Sequence, residues 1–477
     1  MNKGNEISWD YGKLYELICH LENEAELHSI CIMAQGDILC QGSWKPFSLE
    51  KPQMMHSLSK IGTSICVGLA IGEGKLSLED HFLNYVAEEL PREYDPSLEK
   101  ITIYDLLTMQ AGSPFCANNV WFSGLEKDWE TCWLGEKKIA RDIGNTFHYD
   151  SGCSYTLSRI VSKVMGKTCL ELLNERVFSE IGLEDVHWLQ SPEGFNTGGW
   201  GMYLTAPQIC RIGQLLIQNG NWKGKQLIPE NWVREMTKPR ISIPESQGKA
   251  LDSYAYHIKA GKEIFAAEGA FGQFMICFRS LPVVIAITAG TMCEEIPDLC
   301  QKYIQAAAES NDQKQNEKKQ LQEKMGSLEI EYPSGNNKAA GLQDMVLNRW
   351  ITLEENPRNI EQIFIKQEEE NVLAIWLKSG EKRLSCRAGF HRWITNELFP
   401  GDFTKETHCL SYAFDGNSLC VKVCLINTSY VEHYTFTCEE GKIHCAWKPN
   451  VTYLDGNDNR ERFFKGRVET EDAGVEK

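Results

Sequence analysis

Residues 57–80 read SLSKIGTSICVGLAIGEGKLSLED, and this stretch decides how the whole chain is interpreted. Ser57 and Lys60 lie three positions apart, a spacing that places two side chains on one face of a helix. The residues from Ile61 to Ile71 are mostly apolar or small, as in a buried helix. A helix that begins near a serine brings the hydroxyl close to unpaired backbone N–H groups and to the positive end of the helix dipole.

The pairing of a serine with a lysine meets a requirement of nucleophilic catalysis. A serine hydroxyl is a poor nucleophile until a neighbouring group takes its proton. A lysine can take that proton when burial or nearby positive charge lowers its pKa. Taken alone, the spacing also fits a serine that caps a helix and a lysine that reaches the solvent. The rest of the sequence decides between these interpretations.

The segment 57–80 resembles the nucleophile helix of the β-lactamase-related serine hydrolases, which include class C β-lactamases, esterases and penicillin-binding-protein-like enzymes. The resemblance spans about residues 27–308 and implies an α+β fold, an antiparallel sheet flanked by helices. Five further segments are similar to the family in the same order: ITIYDLLTMQAG (101–112), FHYDSGCSYTLSRIVSKVMG (147–166), FSEIGLEDVHW (178–188), GGWGMYLTAPQICRIGQLLIQNGNWKGKQLIPENWV (198–233) and GAFGQFMIC (269–277).

The second motif of this family is Tyr-x-Asn, and the matching residues are Tyr149, Asp150 and Ser151. The resemblance implies that Tyr149 and Lys60 together move the proton of Ser57. A phenol titrates near 10, so Tyr149 needs adjacent positive charge to act as a base, and Lys60 can supply it. Ser151 replaces the asparagine whose amide contacts the substrate in β-lactamases.

The third motif of the family is Lys-Thr-Gly, or His-x-Gly in many esterases. The matching residues 265–273 read FAAEGAFGQ, which contain neither lysine nor histidine. Backbone N–H groups near Ala267 and Gly269 are the candidates for holding an oxyanion. The cation that binds the carboxylate of a β-lactam or a peptide is missing, and Glu268 is expected to repel such a carboxylate if it faces the substrate. We therefore expect small esters or amides as substrates.

Other catalytic arrangements fit less well. His56 adjoins Ser57, but adjacent helical residues do not face each other, and His148 fits a structural or rim position. The sequence has no Gly-x-Ser-x-Gly elbow and no His-Glu-x-x-His motif. Two alternatives stay open: a binding or regulatory homologue without turnover, which the altered third motif favours, and a D-alanyl peptidase or β-lactamase.

Composition narrows the possible partners and compartment. A net charge of −17 argues against nucleic acid and against a polybasic membrane contact. The N-terminal residues lack the apolar run of a signal peptide, so we expect a cytoplasmic bacterial protein with no membrane partner. The 18 cysteines contain no Cys-x-x-Cys pair, which favours free thiols. We expect no metal and no cofactor.

The chain is expected to contain two domains. Residues 1–308 form the hydrolase domain, and residues 309–325 form a polar linker because NDQKQNEKKQLQEK (311–324) shows no helical stripe. Residues 326–460 contain short runs of β-branched and aromatic residues separated by turns, which predict an antiparallel β domain. This domain resembles lipocalin-like barrels, with a sandwich as the alternative. Residues 461–477 form a charged tail.

Overall fold

A computed structural model shows two compact units. The first contains residues 1–42, 52–289 and 293–326, and the second contains residues 43–51, 290–292 and 327–477. The structure describes residues 7–89, 94–112, 129, 143–309, 315–338, 346–356, 359–399, 406–439, 442–453 and 460–468.

The described α-helices comprise Tyr11–Glu24, Lys60–Gly72, Leu83–Val86, Ile103–Leu107, Ser151–Met165, Cys169–Leu173, Ala206–Ile217, Glu230–Met236, Ile296–Glu309 and Gln315–Gly326. Short 3-10 turns comprise His56–Ser59, Ala87–Glu89, Pro96–Lys100 and Pro244–Ser246, and a π turn comprises Asn174–Phe178. None of these helices is long and apolar enough to cross a membrane.

The strands of the first half of the chain comprise β1 (Leu27–Ala34), β2 (Asp37–Ser43), β3 (Gln53–Met54), β4 (His187–Trp188), β5 (Met202–Leu204), β6 (Asn221–Trp222), β7 (Lys225–Gln226), β8 (Ile241–Ser242), β9 (Ser253–Tyr254), β10 (Lys259–Ala260), β11 (Ile264–Gly269), β12 (Gln273–Phe278) and β13 (Val283–Ala289).

Those of the second half comprise β14 (Trp350–Leu353), β15 (Gln362–Glu369), β16 (Val372–Ser379), β17 (Lys382–Phe390), β18 (Ile394–Phe399), β19 (Glu406–Asp415), β20 (Ser418–Leu425), β21 (Val431–Glu439), β22 (Lys442–Pro449) and β23 (Arg462–Val468).

The main sheet of the first unit has eight strands in the order β2-β1-β13-β12-β11-β10-β9-β8. β12 and β13 form the antiparallel hairpin that the sequence predicts. Every residue of β1, β12 and β13 is buried, because helices cover the sheet. The predicted α+β class, an antiparallel sheet flanked by helices, is confirmed.

The helix Lys60–Gly72 lies in the core and is buried from Lys60 to Ala70. It packs against the helix Ser151–Met165, which carries the second motif. Gly68 permits this depth, since a Cβ at that position would lie 2.2 Å from the Trp232 ring. Close packing thus fixes both helices that carry predicted catalytic residues.

The second unit is a closed barrel. Nine strands form the ring β17-β16-β15-β14-β23-β22-β21-β20-β19, and a short parallel contact between β17 and β19 closes it. β18 pairs with β19 beside the ring. Apolar residues from these strands form one buried cluster, as expected for residues that alternate between the inside and the outside of a barrel. The structure therefore selects the barrel over the sandwich.

The predicted linker and tail differ from the structure. Gln315–Gly326 is a helix of the first unit that contacts the helix Tyr11–Glu24. Its Leu321 is buried, and its Lys324 forms an ion pair of 2.6 Å with Glu22. A single buried leucine gives no stripe, so the pattern was not visible. In the expected tail, β23 pairs with both β22 and β14. Residues 310–314 and 469–477 lie outside the described residues.

Candidate active site

Ser57 and Lys60 come together where a turn passes into the buried helix. Ser57 lies in the 3-10 turn His56–Ser59, and Lys60 is the first residue of the α-helix that follows. Lys60 Nζ lies 3.1 Å from Ser57 Oγ. The lysine is only 1% exposed, whereas Ser57 is half-buried. The serine is thus open to a substrate while its partner is held out of water.

Three oxygens surround the Lys60 amine. Besides Ser57 Oγ, Nζ donates to Ser151 Oγ at 3.1 Å and to the carbonyl oxygen of Gly199 at 2.9 Å. An ammonium group has three N–H donors, so these acceptors satisfy all of them. Burial of an amine without such partners is strongly unfavourable. The oxygens therefore fix the position of Nζ.

Tyr149 and Ser151 come from the start of the second motif helix. Asp150 caps that helix by accepting from Gly152 N at 2.8 Å, which sets the backbone on either side of it. Ser151 then faces Lys60, and the Tyr149 ring lies with its centroid 4.7 Å from Lys60 Nζ. Tyr149 is 39% exposed. The four residues Ser57, Lys60, Tyr149 and Ser151 therefore form one cluster.

The third motif strand runs beside the nucleophile turn. A Cβ at Gly269 would lie 2.0 Å from the carbonyl oxygen of Met55, so the strand approaches the backbone just before Ser57. Ala267, two residues earlier, is buried on the same face of β11. This placement of Ala267 and Gly269 is compatible with their predicted role of holding an oxyanion. That role stays a prediction.

Glu268 differs from its predicted role. Its carboxylate forms an ion pair of 2.5 Å with Lys259 on the neighbouring strand β10. A paired carboxylate exerts less repulsion on an incoming anion than an isolated one. The predicted repulsion is therefore reduced, although β11 itself carries no cation.

Two glycines that were not predicted from the sequence also contribute to the site. The Gly199 carbonyl accepts from Lys60, and the Gly198 carbonyl accepts from Thr63 Oγ1 at 2.8 Å. Gly198 has φ +67°, and a Cβ there would lie 2.3 Å from the Ser154 carbonyl oxygen. The Gly198-Gly199 pair is visible in the sequence. However, every residue has a backbone carbonyl, so its residue type does not indicate this role.

The nearby histidines are buried and neutral. The His56 ring packs edge-on against Phe271, and burial lowers its pKa to about 4. The His257 ring nitrogen Nδ1 lies 3.0 Å from the Leu107 carbonyl oxygen, and burial together with the Lys60 charge lowers its pKa to about 3. Within the described part of the chain, no three His, Cys, Asp or Glu side chains are arranged to hold a metal ion.

The low pKa of His257 makes stability depend on pH. Its unfolded pKa is 6.5, so between pH 6.5 and about 3 the unfolded state binds more protons and the free energy of unfolding falls as pH falls. From pH 7 to pH 4 this histidine accounts for about 3 kcal/mol. His257 has a backbone φ of +59°, which asparagine also accepts. We therefore expect His257→Asn, which has no titrating side chain, to flatten this pH dependence in urea unfolding. If the free energy of unfolding depends on pH equally in the variant and the wild type, His257 is not a source of this dependence.

Comparison with known proteins identifies a curated relative of this chain. The 6-aminohexanoate-dimer hydrolase of Paenarthrobacter ureafaciens is 24% identical over 205 residues, which cover 39% of this chain and 51% of that protein. The chain thus spans about half the length of this curated relative.

Two solved structures share the fold. The octameric penicillin-binding protein homologue from Pyrococcus abyssi has a TM-score of 0.52 and 13% identity, covering 96% of this chain and 100% of that chain. A family VIII carboxylesterase has a TM-score of 0.50 and 16% identity, covering 64% of this chain and 98% of that chain.

A family profile covers the residues of the site. The profile described as Beta-lactamase matches residues 28–307, more than half of the 477-residue chain. Ser57, Lys60, Tyr149 and Gly269 all lie within the match. On this match, the chain belongs to the Beta-lactamase family.

Proposed function

We propose that the protein is a serine hydrolase that cleaves small neutral esters or amides through an acyl-Ser57 intermediate. The observation that carries this proposal is the buried Lys60, whose Nζ lies 3.1 Å from the oxygen of half-buried Ser57. A lysine that only extended to solvent, the alternative meaning of the spacing, is not buried in this way.

The first step is attack by Ser57. Once the Lys60 ammonium group has lost one proton, its two remaining N–H groups donate to Ser151 Oγ and to the Gly199 carbonyl, and its lone pair faces the Ser57 hydroxyl. As Ser57 Oγ bonds to the carbonyl carbon, its proton moves to Lys60 Nζ. Backbone N–H groups of Ser57 and of the strand near Gly269 hold the negative oxygen of the tetrahedral intermediate.

The second step is loss of the leaving group. The bond from carbon to the leaving oxygen or nitrogen breaks, and that atom takes a proton passed from Lys60 through the Tyr149 hydroxyl. The Tyr149 ring, 4.7 Å from Lys60 Nζ and partly exposed, fits a group between the buried amine and the substrate. Water then attacks the acyl carbon and gives a proton to the same groups. The bond from that carbon to Ser57 Oγ breaks, Oγ takes the proton back, and the acid is released.

The substrate class rests on the third motif and on the relatives. β11 presents Ala267 where the family has a cation, so carboxylate binding lacks its usual charged partner. The relatives named above are described as a 6-aminohexanoate-dimer hydrolase and a carboxylesterase, which act on amide and ester bonds. Small esters and amides fit both observations, and the missing cation of the third motif favours those without a carboxylate.

We expect a fluorophosphonate probe to label the folded protein at Ser57, because an activated serine attacks phosphorus as it attacks a carbonyl carbon. Mass spectrometry of the labelled peptide locates the adduct, and protein unfolded in urea serves as the control. Turnover of p-nitrophenyl acetate, nitrocefin and a D-alanine amide is compared on the same preparation. Absence of both labelling and turnover would indicate a homologue without activity. Faster turnover of nitrocefin than of p-nitrophenyl acetate would overturn the substrate class alone.

A further inference from the structure

Three strands at one side of the main sheet share a polar face. In β9, β10 and β11, Tyr254 lies opposite Lys259, and Lys259 lies opposite Ala266. Side chains alternate along a strand, so Glu268 lies on the same face as Ala266. Tyr254, Lys259 and Glu268 therefore project from one face, and the last two are diagonal neighbours on adjacent strands.

Lys259 and Glu268 are in direct contact on this face. Lys259 Nζ lies 2.5 Å from Glu268 Oε2, and the two side chains are 34% and 21% exposed. Both charges are thus partly withdrawn from water but still open on one side. A pair in this setting is screened less than one on the open surface, so it can act on a nearby charged molecule.

Tyr254 connects this ion pair to the catalytic cluster. Its ring meets the Tyr149 ring edge-on, with centroids 6.4 Å apart. Burial raises the pKa of Tyr254, and the nearby Tyr149 and Glu268 raise it further. Tyr254 is therefore close to both Tyr149 and Glu268. One aromatic ring, that of Tyr254, separates the ion pair from Tyr149, which is proposed to face the substrate.

We propose that Lys259 and Glu268 are a charge-selecting pair beside Tyr149, whose mutual neutralisation favours substrates without a charge near the scissile bond. This inference rests on the proposed hydrolase function and defines its substrate class. β11 lacks the cation of the third motif, and Lys259 brings a cation from the neighbouring strand. That cation is already bound to Glu268, so it is not available to hold a carboxylate.

The two residues have opposite effects when separated. Without Glu268, Lys259 presents an ammonium group that attracts anionic substrates. Without Lys259, Glu268 is left as an uncompensated carboxylate. That variant is expected to attract cationic substrates.

The experiment uses three p-nitrophenyl esters, of glutaric acid, pentanoic acid and 4-trimethylammoniobutyric acid, which carry an anionic, a neutral and a cationic acyl chain. We expect the wild type to favour the neutral ester. Glu268→Gln should raise the anionic-to-neutral ratio of kcat/KM about tenfold, and Lys259→Gln should raise the cationic-to-neutral ratio by a similar factor. The double variant should return both ratios to near the wild-type values.

Lys262→Gln is the matched control, because Lys262 is 94% exposed and pairs with Glu263 at 3.6 Å. Its ratios should equal those of the wild type. Unchanged ratios in both single variants, or shifts of both in the same direction, would overturn the proposal. Turnover of the neutral ester that depends on Ser57 tests the hydrolase function separately, so the failure of one proposal is distinct from failure of the other.

Discussion

Ser57→Ala is expected to reduce the hydrolysis of p-nitrophenyl acetate by about 10³-fold or more, because it removes the atom that bonds to the acyl carbon. The rest of the site stays in place, since Lys60 keeps its contacts with Ser151 and Gly199. The variant should therefore fold as the wild type does. Steady-state kinetics gives the loss of kcat, and the fluorophosphonate probe should no longer label the protein.

Ser64→Ala is a matched control in the α-helix that follows Ser57. Ser64 is fully buried, and its hydroxyl donates to the Tyr256 carbonyl at 2.9 Å rather than contacting Lys60. Its loss should lower stability by about 1 kcal/mol and leave turnover within a few-fold of the wild type. Near-normal activity of Ser57→Ala would remove Ser57 from the mechanism altogether.

Local spacing made the central part of the site predictable. Ser57 and Lys60 belong to the same short segment. Their separation of three residues is therefore enough to predict that the two side chains meet. Tyr149 and Ser151 were assigned by resemblance to a family motif, and the structure brings them to Lys60. In these cases the side chain itself carries the chemistry, so the residue type is a usable signal.

Contacts between distant segments were not predictable. The Gly199 carbonyl binds Lys60 from 139 positions away, and any residue type has a carbonyl. The ion pair between Lys259 and Glu268 depends on the register of β10 and β11. A shift of one residue in that register would send the two side chains to opposite faces. Sequence alone therefore showed Glu268 as an isolated charge.

Dependence on distant partners also explains why the helix Gln315–Gly326 and strand β23 were not predicted. Leu321 is the buried residue of an otherwise polar helix, and its partner helix Tyr11–Glu24 lies near the other end of the chain. β23 is charged and short, but it fills the place between β14 and β22 that completes the barrel ring. Both elements gain their structure from partners rather than from their own pattern.

Lys60→Met is expected to lower kcat by about 10²- to 10⁴-fold, the range that a general base contributes. Methionine has nearly the volume of lysine without the amine, so packing around the buried position is retained. The Gly199 carbonyl and Ser151 Oγ lose their donor, which should also lower the free energy of unfolding by about 1–3 kcal/mol. Kinetics and thermal unfolding of the same preparation separate the two effects.

Lys60→Arg decides whether the amine acts as a base or only as a charge. Arginine keeps the positive charge and the N–H donors but stays protonated, so it cannot take the proton of Ser57. If Lys60 receives that proton, the arginine variant should be nearly as inactive as Lys60→Met, even at high pH. If Lys60 instead only lowers the pKa of Tyr149, the arginine variant should retain most of the activity that Lys60→Met loses. That second result would transfer the role of base to Tyr149 while leaving Ser57 as the nucleophile.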